Sequence, residues 1–223
     1  IAIMGNPNSG KTAIFNLLTG MNLKVSNYPG ITVEMRRGTA CISPDKTVDI
    51  MDLPGTYSLT PESMDEKIVA KQTLQWMEGE NRPKAIISVV DAANLSRNLY
   101  LTSQLMDMDI PVIVALNMMD RVRHRKQDID PEALRKLLGV SAVVPMSARE
   151  KWGISDLQAA LADVQENTEV PSELKLQIPD VINAQLQPVS DFFQSQLGYG
   201  KEIALGQSLR VITRKSAVKI YED

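Results

Sequence analysis

Three short stretches hold the residues whose types and spacing could do chemistry. The first, Gly5 to Thr12, reads GNPNSGKT and fits G-x-x-x-x-G-K-[ST] between a strand-like run and a helical one. Glycines at Gly5 and Gly10 let backbone N–H groups wrap α- and β-phosphates, aided by the positive end of a helix starting at Lys11. Lys11 would neutralise β/γ-oxygens, and the Thr12 hydroxyl would coordinate Mg²⁺. Gly5, Asn6, Asn8, Ser9, Gly10, Lys11, Thr12 and Ala13 are therefore expected around a polyphosphate, against the plainer alternative of a glycine-rich turn.

The second stretch, DLPG from Asp52 to Gly55, follows a strand-like run. Asp52 would hold Mg²⁺ through water, and the Gly55 N–H would sense a γ-phosphate. The third, NMMD from Asn117 to Asp120, ends another apolar run. It matches the N-x-x-D pattern that selects guanine. Asp120 accepts from the base N1–H and exocyclic amine, Asn117 bonds base and loop, and the apolar Met118 side chain covers one face of the ring. Adenine offers no such donor pair, so a buried unpaired carboxylate would disfavour ATP. A helix-capping Asx turn is the bland reading of the same four residues. In MSAR, Met146 to Arg149, Ser147 and the Ala148 N–H would reach the base oxygen. GTP or GDP with Mg²⁺ is the implied ligand. A threonine between Met21 and Glu34 should join Mg²⁺ and the γ-phosphate, and Thr32 is the best placed.

One residue departs from the usual pattern. Ras-type enzymes orient the attacking water with a glutamine directly after this glycine, whereas here the position is Thr56. Three explanations stand. Thr56 could hold the water itself, although its hydroxyl is short. A partner could supply a group in trans. Or Asn8 could help build a cage for K⁺, which would sit where an arginine finger places its charge. Asn8 as a mere stabiliser of the loop turn is the plain alternative. Holding the water would then fall to the Gly55 and Thr56 amides with a Thr32 or Ile31 carbonyl, and hydrolysis should be slow and faster with K⁺.

These residues need a scaffold. Apolar runs and helical patterns alternate through residues 1–165, as in an α/β parallel sheet covered by helices on both faces. Six strands are expected, five of them parallel, with SPDK (Ser43 to Lys46) turning an antiparallel edge hairpin. That is a P-loop NTPase architecture of Ras-like type. Residues 166–223 change character: a polar, proline-bearing linker precedes helical spacing that Pro188 should kink or split. They read as a small helical appendage, giving a nucleotide-binding domain over 1–165 and a helical domain over 166–223.

Composition trims the alternatives. A formal net charge of −3 supplies no global field for nucleic acid. The single cysteine, Cys41, excludes an internal disulfide and reads as a packing residue; one histidine excludes a zinc site of several His and Cys. The basic run RVRHRK, Arg121 to Lys126, reads as a solvated face, and the acidic Glu62, Asp65 and Glu66 as the first turn of a helix. A soluble GTPase of the TrmE/Era type, acting on RNA, would carry a basic appendage. Residues 166–223 instead hold six Lys/Arg against eight Asp/Glu. No apolar run approaches the ~20 residues of a membrane span. The opening IAIMG, already at a strand, reads as a piece trimmed from something longer. A homo-oligomer is compatible with all of this.

With these boxes placed, the chain resembles the cytosolic region of the ferrous iron transport protein B (FeoB) family. GNPNSGKT, NYPGITVE, DLPGTYSL, VVDAANLSRNLYLTSQL and IPVIVALNMMD carry the resemblance across most of residues 1–120. It implies a GTPase domain followed by a helical domain that slows GDP release. It also implies a C-terminal membrane transporter domain in the same polypeptide, moving Fe²⁺ across the bacterial inner membrane while this part sits at its cytoplasmic face. Residue by residue, the family assigns Lys11 and Thr12 to phosphate and Mg²⁺, Asn8 to K⁺ and Thr32 to the switch. Asp52 goes to the Mg²⁺ shell, and Asn117 and Asp120 to guanine.

Overall fold

The computed structural model describes residues 1–21, 23–27, 34–61, 63–167 and 179–213. Among these, the chain runs β1 (Ala2–Gly5), α1 (Lys11–Thr19), β2 (Leu23–Asn27), β3 (Glu34–Ser43), β4 (Lys46–Asp52) and α2 (Met64–Met77). After β5 (Ile86–Asp91), a 3-10 turn (Ala92–Asn94) leads into α3 (Leu95–Met106). Then come β6 (Val112–Asn117), α4 (Met119–His124), α5 (Pro131–Leu138), β7 (Ala142–Pro145) and α6 (Ile154–Glu166). Two further helices, α7 (Asp180–Leu197) and α8 (Lys201–Thr213), complete it.

The strands form one mixed sheet in the order β2-β3-β4-β1-β5-β6-β7. Strands β4, β1, β5, β6 and β7 pair in parallel, whereas β3 is antiparallel to β4 across the expected turn. The sequence pattern predicts six strands; the described residues form seven. The addition is β2, which pairs antiparallel with β3 inside the segment read as the first switch loop. Its five residues, LKVSN, alternate apolar and polar only from Leu23 to Ser26, and Val25 is exposed, so the local signal is weak. The pairing partner, not the local sequence, makes this edge strand.

The central strands sort their side chains by alternation. In β6, Val112, Val114 and Leu116 join one core with Leu101, Leu105, Val69 and Trp76, while Ile113 and Ala115 face a second core with Ile14, Phe15, Leu157 and Leu161. Both faces are covered, so these strands read as continuous apolar runs. The exception in β5 is Ser88, whose buried hydroxyl bonds Thr102 on α3 at 2.8 Å. Cys41 does not serve as packing: it lies exposed on β3, where the far edge of the sheet meets solvent.

Of the kink or split expected at Pro188, the split does not occur: helix α7 runs through it. Proline there forfeits one bond, to the carbonyl of Ala184. Both residues are exposed, so water can take that carbonyl. Phe193 of α7 stacks on Tyr199 with ring centroids 5.8 Å apart, and the pair packs with Leu74 and Met77 of α2. Arg210 of α8 donates to the Gln104 carbonyl at 2.8 Å and lies 3.7 Å from Asp107.

Candidate functional site

Strand β1 ends at Gly5, where a Cβ would meet the Val89 carbonyl oxygen at 2.5 Å. Only glycine lets the chain leave the sheet so close to β5. Asn8 and Gly10 then take positive φ, 63° and 96°, and bend the loop before α1 begins at Lys11. Lys11 is nearly buried, and desolvation holds its ammonium below the usual lysine range, with Asp52 acting in the opposite direction. Burial likewise raises the Asp52 carboxyl above its ordinary value, partly offset by Lys11, Arg36 and the Thr12 hydroxyl. Thr12 Oγ1 donates to Asp52 Oδ2 at 3.4 Å. The structure thus brings Lys11, Thr12 and Asp52 together, as the spacing required.

Three buried polar atoms here have no hydrogen-bond partner among the described residues: Asn6 Oδ1, Ser9 Oγ and Asp52 Oδ1. Buried polar groups are nearly always satisfied, so these atoms, two on the loop after β1 and one at the end of β4, mark a place built for something polar. Gly55 arrives from the end of β4 and rests against Pro7, where an added Cβ would stand 3.2 Å from Lys11 Nζ.

The base-side residues also converge. Asn117 donates through Nδ2 to the Ser9 carbonyl at 2.8 Å and accepts through Oδ1 from the Ala148 N–H at 2.9 Å. One buried side chain therefore ties the phosphate loop to the loop after β7. Ser147 Oγ donates to Asp120 Oδ1 at 2.9 Å and accepts from the Glu150 N–H. That loop closes on itself through paired backbone bonds between Ser147 and Trp152, each 3.2 Å. Met118 takes φ 64° and stands half-buried at the start of α4, a short helix that the apolar pattern did not reveal. Arg123, from the basic run, stacks over Trp152 at 4.3 Å; it and the other charges of that run are exposed.

Two expectations need revision or lie elsewhere. The Thr56 side chain does not offer its hydroxyl to a water beside the phosphates. It is fully buried, and Oγ1 donates to the Ser58 carbonyl at 2.5 Å and approaches Glu66 at 3.3 Å. Its backbone N–H is donated to the Gly5 carbonyl at 3.3 Å. Burial against α2 explains the choice: a threonine hydroxyl in the interior must find partners, and the turn and the helix cap supply them. Thr32, Ile31 and Glu62 lie outside the described residues. Asn8 and Ala13 are exposed on the loop and on the first turn of α1.

Sequence reasoning passed over the capping role of Glu66 and two side chains of α3. Glu66 completes a capping box with Ser63, legible as S-x-x-E before the α2 pattern. Arg97 and Gln104 on α3 contact the segment after DLPG; nothing local in the sequence distinguishes them from surface polar residues. No cluster of three or more metal-ligating side chains exists among the described residues.

The strand order, the loop between β1 and α1 and the boxes at the ends of β4, β6 and β7 define a P-loop nucleotide-binding protein of the G-domain type. The family model for ferrous iron transport protein B matches residues 1–161. The chain belongs to that family. It is 38% identical over 232 residues to the Fe(2+) transporter FeoB of Legionella pneumophila strain Paris, covering 99% of this chain and 30% of the relative. It thus spans under a third of the length of such transporters. Among solved structures, the cytosolic domain of L. pneumophila FeoB superposes with TM-score 0.83 at 37% identity, covering 99% of this chain and 95% of that one. A GDP-bound point mutant of S. thermophilus NFeoB gives TM-score 0.79 at 33% identity, covering 98% and 87%.

Proposed function

We propose that this chain binds guanine nucleotide and hydrolyses GTP slowly, with stimulation by K⁺, as the cytoplasmic regulatory part of a bacterial Fe²⁺ transporter. The observation that carries the reading is Asn117, bonded to Ser9 on one side and Ala148 on the other. Such a bridge has a purpose when one ligand spans both loops: phosphates in the first, a base at the second. Asp120, oriented by Ser147, then accepts from the two donors on the guanine edge.

The residues suit their ions. Thr12 Oγ1 and the two Asp52 oxygens are hard donors beside the phosphate loop, fitting Mg²⁺. Mg²⁺ held by Thr12 and Asp52 would supply positive charge against the phosphate oxygens. Asn8 offers an amide oxygen of the kind K⁺ accepts, and K⁺ would add positive charge on the arginine-finger side. The protein's own part is electrostatic and positional. Lys11, poorly solvated, regains a full counter-charge when a polyphosphate arrives, which favours binding. Gly55 and Thr56 contribute N–H groups, not side chains, so the water must be held by backbone. To do that, the Thr56 amide has to leave the Gly5 carbonyl, which makes the resting arrangement a slow one.

The chain divides in function into a G domain over residues 1–165 and a helical domain over 166–223 that restrains nucleotide release, with the transporter domain following in the full polypeptide. Turnover measured in KCl against NaCl at equal ionic strength tests the cation role. A several-fold advantage for KCl is expected, and equal rates would remove K⁺ from the mechanism.

A further inference from the structure

The α3 stretch LSRNLYLTSQL carries two side chains that the nucleotide site does not use, Arg97 and Gln104. Seven residues apart, they lie two turns along one helix face. They meet the segment after DLPG at two points. The Arg97 guanidinium carbon sits 4.2 Å from the centroid of the Tyr57 ring. Gln104 Oε1 accepts from the Leu59 N–H at 2.8 Å, with both residues buried. Between these points Ser58 is fixed by its hydroxyl bond to the Thr60 carbonyl at 3.0 Å. Behind Arg97, its carbonyl accepts from Asn6 Nδ2 of the phosphate loop at 3.4 Å.

We propose that Arg97 and Gln104 are positioning residues that clamp Tyr57–Leu59 and so bias the bound nucleotide toward GDP over GTP. The proposal rests on the guanine-nucleotide reading above. In the clamped arrangement the Thr56 N–H is spent on the Gly5 carbonyl, and Gly55 lies against Pro7. A γ-phosphate that recruits the Gly55 amide must draw this pair of residues off the phosphate loop. The residues immediately downstream are pinned to α3, so the displacement works against the ring stack and the buried hydrogen bond. GDP makes no such demand. The clamp therefore discriminates between two nucleotides that it never touches.

Affinities for GDP and for a non-hydrolysable GTP analogue, measured with Mg²⁺ on the intact chain, test this. GDP affinity should stay near wild type throughout, which also reports a folded site. The analogue-to-GDP affinity ratio should rise about two- to fivefold in Arg97→Ala and in Tyr57→Ala, the scale of an exposed cation–π contact. The double variant should rise no further, because the two changes remove one contact. Tyr57→Phe keeps the ring and should match wild type. Gln104→Leu strands a buried amide and should raise the ratio about tenfold. Tyr57 is 40% exposed, so its variants keep the test usable if Gln104→Leu unfolds. A ratio that is unchanged or lowered in Arg97→Ala and Tyr57→Ala, with GDP bound normally, overturns the clamp. A wild-type chain that binds no GDP would instead bring down the reading beneath it.

Discussion

Replacing Gly10 by alanine should damage the protein in two separable ways. Gly10 has φ 96°, a conformation that L side chains rarely adopt, so any Cβ there costs roughly 1–2 kcal/mol of strain. The new methyl would also collide with Asn117 Nδ2. A flexible side-chain tip could step aside cheaply, but Asn117 is buried and bonded to both Ser9 and Ala148. Moving it strands those partners, at about 1–3 kcal/mol. Together the change should remove roughly 2–5 kcal/mol of stability and lower the melting temperature by about 5–15 °C. The Asn117 share should also appear as a ~10- to 100-fold loss of GDP affinity, since both walls of the site shift. Gly20→Ala is the control: φ is 60°, but nothing among the described residues lies within 4 Å of its Cβ. It should cost about 1 kcal/mol and leave affinity alone. Thermal unfolding and isothermal titration on the two variants decide the matter. If Gly10→Ala binds GDP as tightly as Gly20→Ala does, Asn117 does not join the two halves of the site.

Other consequences follow from the same geometry. Asp120→Asn replaces an acceptor of two donors with a group that opposes one of them, and should weaken GDP binding ~10- to 100-fold in titrations. Ser147→Ala removes the hydroxyl that orients Asp120 and should cost about 1 kcal/mol of GDP affinity, with no added loss when combined with Asp120→Asn. Phe193→Ala empties the stack with Tyr199 and should destabilise α7 and α8 by about 3–5 kcal/mol. Limited proteolysis should then cut that region first while GDP still protects residues 1–165.

Much of the site was legible because its chemistry is local. GNPNSGKT, DLPG and NMMD each fix backbone geometry within a few residues, and the alternation of apolar strands and helices places all three at strand ends. What escaped depends on contacts distant in sequence. Strand β2 pairs with β3 along its whole length, whereas its own alternation, Leu23 to Ser26, is too short to mark it. The Thr56 hydroxyl was one of three ways to replace the missing glutamine; burial beneath α2 turns it away from the phosphates. Arg97 and Gln104 meet residues about forty positions earlier, and no motif links them as GNPNSGKT and DLPG link Lys11 to Asp52. Pro188 failed to break α7 because its lost hydrogen bond falls on the wet side of the helix, a fact that only the packing reveals.

The central claim is that the cradle after β1 and the carboxylate after β6 grip one guanosine polyphosphate between them. Calorimetric titration of the chain with GDP and with ADP, both with Mg²⁺, puts this to the most direct test. Saturable one-to-one binding of GDP with no measurable heat from ADP is the predicted result. Equal affinity for the two, or indifference to GDP, would contradict it.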